Sequence, residues 1–327
     1  MIPVATTLPV SPSHAKKPGF YSLFSFVYHL GMTENMQTIA ALNTLGKSAD
    51  VSTIHLMEST LDILGIQPNV RWNDETIDHN SMSTLLQTLF KKNLIGVETR
   101  NIRRCSCGMI EYFDGIDLYG SKTLVHEGYS MCCHTRIIKI RKQVLVTAPL
   151  PKPSTPKVFP SWAAREFEAK MKKLAGARLL ISRSTPRRHS VRLGGYDWNI
   201  DNDLVWWFFS KWLSEKKYIL THLVVGTSIL HQAAILSAVS ALIEVPVPTH
   251  IYCLPKVSFI PIHGVVTIGQ SVERFGSVRI TNALLWSALS GRKEFALHGS
   301  IFPKMRDTVV KNIDTMSITS LRRLLCV

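Results

Sequence analysis

The chain has 327 residues and carries 38 Lys and Arg against 23 Asp and Glu, a formal net charge of +15. That length suits one large domain or two modest ones with a core sufficient for independent stability, and a hydrophobic share of 46% is ordinary for a globular protein. The basic excess points to a polyanionic partner, nucleic acid first, with an acidic membrane surface or unspecific stickiness as the plainer readings.

Six cysteines, four of them in two close pairs, suit a metal site in a reducing compartment better than a disulfide framework. Met1–His14 has no basic n-region and is interrupted by Pro3, Pro9 and Pro12, so no signal peptide is expected and the reading is cytoplasmic. The one candidate for a membrane span is Ile219–Val247. His222, His231, Gln232 and Glu244 lie within it and Gly226 divides it, which favours a buried strand and helix and no membrane partner.

In chain order, Met1–Gly19 is aperiodic and Pro-containing and is expected to be a flexible arm. Phe20–Tyr28, rich in aromatics, reads as a strand, and Glu34–Leu45, with Thr33 as N-cap, as a helix. Ser81–Lys92 carries Met82, Leu85, Leu86, Leu89 and Phe90 at helical spacing, a stripe that reads as core, with Lys91 and Lys92 suited to the negative end of the helix dipole.

Residues 100–148 form a Cys-rich insert. Cys105-Ser106-Cys107 and, further on, Cys132-Cys133-His134 offer soft thiolate donors that could staple a small, core-poor segment around structural zinc. The set is Cys105, Cys107 and Cys132 with Cys133 or His134; His126 is a weaker fifth candidate, and free buried cysteines are the competing reading. Arg136–Lys142 alternates Ile with Arg and Lys, either a basic strand edge or a phosphate track. Residues 149–160 hold five prolines and read as a stiff linker.

Ser161–Leu174 reads as a helix capped by Ser161. Arg183, Arg187, Arg188, His189 and Arg192 form the densest basic cluster, suited to bidentate phosphate recognition or to a solvated loop. Asp201 and Asp203 alternate on one strand face, a cation or ammonium site if functional and a turn feature otherwise. The aromatic run at Trp206, Trp207, Phe208 and Phe209 reads as core and pocket wall together.

Tyr218–Gly226 reads as a parallel strand buried on both faces, Ser228–Val245 as a crossover helix and Thr249–Cys253 as the next strand. Gly226 closes the first strand, where an open α/β sheet usually places a ligand. A further helix is expected over Ile280–Leu289, followed by a helical tail.

These residues carry a resemblance. A strand ending in Val224-Val225-Gly226, a helix, Pro246-Val247-Pro248, a strand, then His263-Gly264-Val265-Val266-Thr267-Ile268-Gly269-Gln270 resembles the second half of the catalytic domain of class I methionyl-tRNA synthetases. Where that family has K-M-S-K-S, this chain has Ser271-Val272-Glu273-Arg274-Phe275, one residue short of the family spacing and followed by the matching Gly276; its G-K-D falls at Gly226-Thr227-Ser228. Trp206 and Trp207 align with the V-W-F-D-A segment of the amino-acid pocket, whose acidic residue falls at Phe208. Tyr28-His29-Leu30-Gly31 takes the D-E-H-G site if the first β-α unit, with H-I-G-H, is missing; alternatively His29-Leu30-Gly31-Met32 is itself a worn H-I-G-H. The first placement keeps the following pattern in step.

The resemblance implies an α/β fold, a Rossmann-like parallel sheet with an inserted zinc-knuckle-type subdomain. The division is a flexible arm over 1–19, a first half over 20–99, the insert over 100–148, the linker over 149–160, a second half over 161–300 and a helical tail over 301–327. It implies ATP or an adenylate as ligand, an amino acid as small substrate and tRNA or other RNA as partner. Arg274 and His29 would be the catalytic residues, and Tyr28, Gly31, Trp206, Gly226, Ser228, His263 and Gly264 the pocket. Arg183, Arg187, Arg188 and Arg192 would contact RNA, and Cys105, Cys107, Cys132 and Cys133 zinc. Since the family's phosphate-facing cations are largely replaced, the leading expectation is a divergent protein that binds tRNA or an adenylate-type ligand without ordinary methionine activation. An active amino-acid-activating ligase of altered specificity and a structural partner subunit of a synthetase-like assembly are the alternatives.

Overall fold

A computed structural model describes residues 3–9, 15, 18–43, 51–73, 79–104, 110–113, 139–151, 155–175, 178–183, 189–201, 204–240, 242–262 and 267–308. Its centre is a six-stranded sheet. The strands, in chain order, are β1 (Pro3–Pro9), β2 (Gln37–Asn43), β3 (Val70–Asn73), β7 (Lys157–Phe159), β12 (His222–Gly226) and β13 (His250–Leu254), arranged in the order β3-β2-β1-β12-β13-β7. Every pairing in it is parallel. Parallel neighbours need crossovers, and the helices that make them lie on both faces.

Alternation along the strands sorts their residues into two cores. Ala5, Ile39, Ala41, Leu223, Val225, Ile251 and Cys253 face one core, which they share with helices α3 (His79–Lys91), α4 (Ser161–Leu174), α5 (Val205–Glu215) and α6 (Leu230–Val239). Val4, Ala40, Val224 and Leu254 face the other, built with α1 (Pro18–Glu34), α2 (Val51–Ile63) and α8 (Ser277–Ala288). A sheet buried on both faces reads as continuous β-branched and small apolar residues, as Leu223-Val224-Val225 does.

Several expectations are corrected here. The segment placed in a flexible arm supplies β1, the strand between β2 and β12. Its prolines stand at the ends of the strand, where they interrupt no interior ladder position. Phe20–Tyr28, expected as a strand, lies within helix α1. Tyr21, Ser22, Leu23, Phe24, Ser25, Phe26 and Val27 are all buried, so the helix has no polar face and leaves no 3.6-residue signal. Glu34–Leu45, expected as a helix, contains β2, because parallel pairing with β1 over seven positions outweighs local propensity. The Pro-rich linker contains β7, which pairs with β13. Pro160, not Ser161, holds the N-cap position of α4, with no side-chain cap.

Other elements follow the expectation. α3 covers the Ser81–Lys92 stripe, β12, α6 and β13 form the β-α-β unit, and α8 covers most of Ile280–Leu289. No described helix is long and apolar enough to cross a membrane.

The insert grows from the antiparallel pair β4 (Gly96–Arg104) and β6 (Lys139–Pro149), flanked by β5 (Ile110–Phe113) and β8 (Arg178–Leu180). β4 and β6 pair over nine positions, from Gly96↔Thr147 to Arg104↔Lys139. β8 ties the base of β6 back to the chain that follows α4. The four cysteines of the proposed knuckle lie outside the described residues.

Candidate functional site at the carboxyl ends of the central strands

Two neighbouring strands leave the sheet in opposite directions. From β1 the chain crosses to β2, and from β12 it crosses to β13 on the other side. Such a switch point opens a crevice beyond the carboxyl ends of the two strands. Register pairs Val4 with His222 and Thr6 with Val224, and the Thr6 hydroxyl donates to the Val224 carbonyl at 2.9 Å, fixing the two strands together in the interior. Gly226, the last residue of β12, stands at that end of the sheet; in the sequence, residues 10–17 join β1 to α1.

Gly226 is half-buried. A Cβ there would meet only Leu23 of α1, at 4.0 Å, so packing alone does not demand glycine. A 3₁₀ turn, Thr227–Ile229, follows and runs directly into α6. Ser228 lies in this turn, and Trp206 in the first turn of α5. Trp207, beside it, is almost fully buried in the first core.

The Tyr28-His29-Leu30-Gly31 placement is overturned. These residues lie inside α1, not at a strand end. His29 is 1% exposed. Its Nδ1 is hydrogen-bonded to the Ser25 carbonyl at 2.8 Å, and burial pushes its pKa below the ordinary value, with the Ser25 and Asn282 hydrogen bonds opposing. It is a core imidazole between α1 and α8, not a catalyst facing a ligand. Tyr28 packs edge-on to it, with ring centroids 5.8 Å apart. Gly31 is a packing residue: a Cβ would meet Thr38 Cγ2 of β2 at 2.1 Å.

The expectation that the first β-α unit is missing falls with it, since β1 and α1 are that unit. The joining segment reads Val10-Ser11-Pro12-Ser13-His14-Ala15-Lys16-Lys17. His14, Lys16 and Lys17, which the sequence reading passed over, thus belong to the first junction. The usable signal was Val4-Ala5-Thr6-Thr7-Leu8, a short β-branched and apolar run followed by a Pro-Ser turn cluster and a helix-length segment.

Arg274 is exposed on α7 (Ile268–Phe275), with its guanidinium carbon 5.3 Å from the centroid of the Phe275 ring. α7 begins with a capping box, in which Thr267 and Gln270 each satisfy the other's backbone N–H. His263 and Gly264 lie outside the described residues.

The basic cluster is divided. Arg183, on β9 (Ser182–Arg183), is 8% exposed and paired through Nε with Asp201. It is corrected from an RNA contact to half of a buried ion pair, and Asp201 from half of a carboxylate pair. Arg192, on β10 (Ser190–Leu193), is exposed; Arg187, Arg188 and Asp203 lie outside the described residues. Among the described residues no group of three or more His, Cys, Asp or Glu could hold a metal ion.

No family model and no curated protein matches the chain. Solved structures do. The chain is similar to Mycobacterium tuberculosis methionyl-tRNA synthetase bound by methionyl-adenylate, with a TM-score of 0.63 and 12% identity over 92% of this chain and 67% of that one. A second structure of that enzyme in complex with methionyl-adenylate gives 0.62 at the same identity and coverage. The apo form gives 0.61 at 12% identity, over 88% of this chain and 61% of that one. The agreement spans nearly all of the chain at low sequence identity, and on that ground this chain has a methionyl-tRNA synthetase-like fold.

Proposed function

We propose that this is a divergent methionyl-tRNA-synthetase-like protein that binds tRNA or an adenylate-type ligand without ordinary methionine activation. The observation that carries the reading is the second exit of the switch point, Gly226-Thr227-Ser228, which has no charged side chain. Adenylate formation needs positive donors around the reacting phosphorus, and losing one such contact in a dry site costs about 2–4 kcal/mol of transition-state stabilisation. RNA contact is assigned to Arg187, Arg188 and the exposed Arg192, together with the basic β4–β6 hairpin.

A specific observation favours a second reading, an active ligase of altered specificity. The first β-α unit is present, and its junction carries the cations Lys16 and Lys17, with His14 beside them in the sequence, that could serve the phosphates. ATP–pyrophosphate exchange across a panel of amino acids separates the two readings. The first expects none. Exchange that is lost in a Lys16→Gln, Lys17→Gln double variant establishes the second. A partner-subunit role remains a third reading, tested by whether the chain forms a stable complex with a synthetase. For the first reading, tRNA affinity should fall steeply with salt, and ATP, AMP or a methionyl-adenylate analogue should raise the melting temperature. Salt-independent tRNA binding and no thermal shift would overturn it.

Structural zinc on Cys105, Cys107, Cys132 and Cys133 belongs to the same proposal. Arg104 pairs with Lys139, and in the sequence all four cysteines fall between these two residues. Zinc would supply a crosslink within the Cys-rich insert. About one equivalent of zinc by elemental analysis, with loss of a thermal transition on chelation, is the expected result.

A further inference from the structure

A column of rings crosses three strands of the sheet, from His222 and His250, the first residues of β12 and β13, to Phe159, the last residue of β7. His222 of β12 and His250 of β13 are register partners, with ring centroids 4.7 Å apart and planes within 4°. Phe159 of β7 continues the column, at 6.3 Å and 9° from His250 and 5.6 Å and 21° from Tyr252. Tyr252 in turn lies 6.0 Å and 12° from His222. Thr221 Oγ1 and Thr249 Oγ1 are hydrogen-bonded to the neighbouring histidine Nδ1 atoms at 2.8 and 2.9 Å, which holds both imidazoles in the same attitude.

The column is closed at its inner end and open at its outer one. Val4, the register partner of His222 on β1, is fully buried. β7 is the outermost strand of the sheet, and Phe159, its last residue, is 45% exposed. Lys157, two residues earlier and therefore on the same face, is exposed and is the register partner of His250. An apolar ring of this size left open at the end of a parallel stack offers its outer face to one more flat ring. A cation beside it favours a ring attached to an anion.

We propose that Phe159 is a stacking site for a nucleobase of single-stranded RNA, with Lys157 meeting an adjoining phosphate. Stacking on an aromatic face accepts any base, and a nearby cation follows the backbone. The net charge of +15 supplies the long-range attraction. The inference rests on the proposed RNA-binding reading for the class of partner. It adds a site on the outermost strand of the sheet, with a cation of its own.

The test uses the full chain and a uridine hexamer bearing one 2-aminopurine, whose fluorescence falls when the base stacks. The native chain should quench it. Phe159→Leu should abolish the quenching and weaken binding about tenfold, with an unchanged slope of log affinity against log salt; Phe159→Trp should retain both. Lys157→Gln should instead reduce that slope by about 0.7. Melting curves establish that each variant is folded. The proposal is overturned if the native chain does not quench the hexamer or if Phe159→Leu quenches like the native chain. Concentration-dependent dimerisation that Phe159→Leu abolishes, without quenching, would also overturn it by making the face a protein interface. If quenching is present but full-length tRNA fails to bind in a salt-dependent way, the earlier reading fails and this one stands.

Discussion

The sheet contains two parallel crossovers, β1–α1–β2 and β12–α6–β13, whose helices are buried by different means. In α6, eight of ten residues are buried; the one serine among them, Ser237, and Ser240 at the C-cap return their hydroxyls to carbonyls four residues back in the same helix. α6 is enclosed chiefly by apolar packing. α1 is also enclosed over Tyr21–Val27, but two of its hydroxyls reach outside the helix. The Ser25 hydroxyl donates to the Thr281 carbonyl on α8 at 2.9 Å, and the Tyr21 hydroxyl to the Ala15 carbonyl at 3.0 Å. His29 sits one turn beyond Ser25, near Asn282. The junctions differ in the same sense: that of β12 is short and uncharged, and that of β1 is longer and carries His14, Lys16 and Lys17. One crossover rests mainly on apolar packing. The other adds polar ties to α8 and, in its sequence, a charged junction.

The contrast can be broken most forcefully in α6. Leu236→Ala removes a side chain only 1% exposed, and should cost about 2–5 kcal/mol of unfolding free energy in urea melts, equally at pH 5 and pH 8. A marked pH dependence of that loss would contradict the apolar description. In α1, Gly31→Val should cost about 1–3 kcal/mol, because the added carbon must displace the buried Thr38 side chain. A neutral result would show that α1 can shift on β2.

The third prediction is smaller and confined to a pH window. His29 has a folded pKa below the ordinary imidazole value of 6.5, so between those two values the unfolded chain binds more protons than the folded one. Its contribution to stability is complete above 6.5 and is lost as pH falls through the lower folded value. His29→Leu should therefore flatten the acid side of the stability profile, and an unchanged profile would place the acid transition elsewhere. The smallest effect belongs to the second crossover. Burial is the main cause raising the Cys253 thiol to about 12, aided by the Glu166 carboxylate and opposed by Lys293 and Lys170. Cys253 should resist alkylation in the native chain at pH 8 and react on unfolding; fast native labelling, mapped by mass spectrometry, would show that β13 opens.

The two crossovers also differ in how far they could be read from the sequence. In the second, a β-branched strand, an apolar helix-length run, Pro246-Val247-Pro248 and another strand succeed one another with clear punctuation. In the first, aromatic residues with high strand propensity stand in a helix whose every side is buried, so neither propensity nor period identifies it. β1 is too short and too near the chain start to be told from an arm before its partners β2 and β12 are known.

The sequence by itself determined the α/β class, the second crossover and the basic character of the chain, because composition and hydrophobic runs are local properties. Tertiary structure decided which strand lies beside β12, whether His29 faces a ligand or the core, and whether Arg183 is available to a phosphate. Arg183 shows the reason plainly. Eighteen residues separate it from Asp201 in the chain, and only the pairing of β9 with β11 (Tyr196–Ile200) brings the two charges together out of water. A buried charge is governed by the partner that the fold supplies, which no local reading of a basic cluster contains.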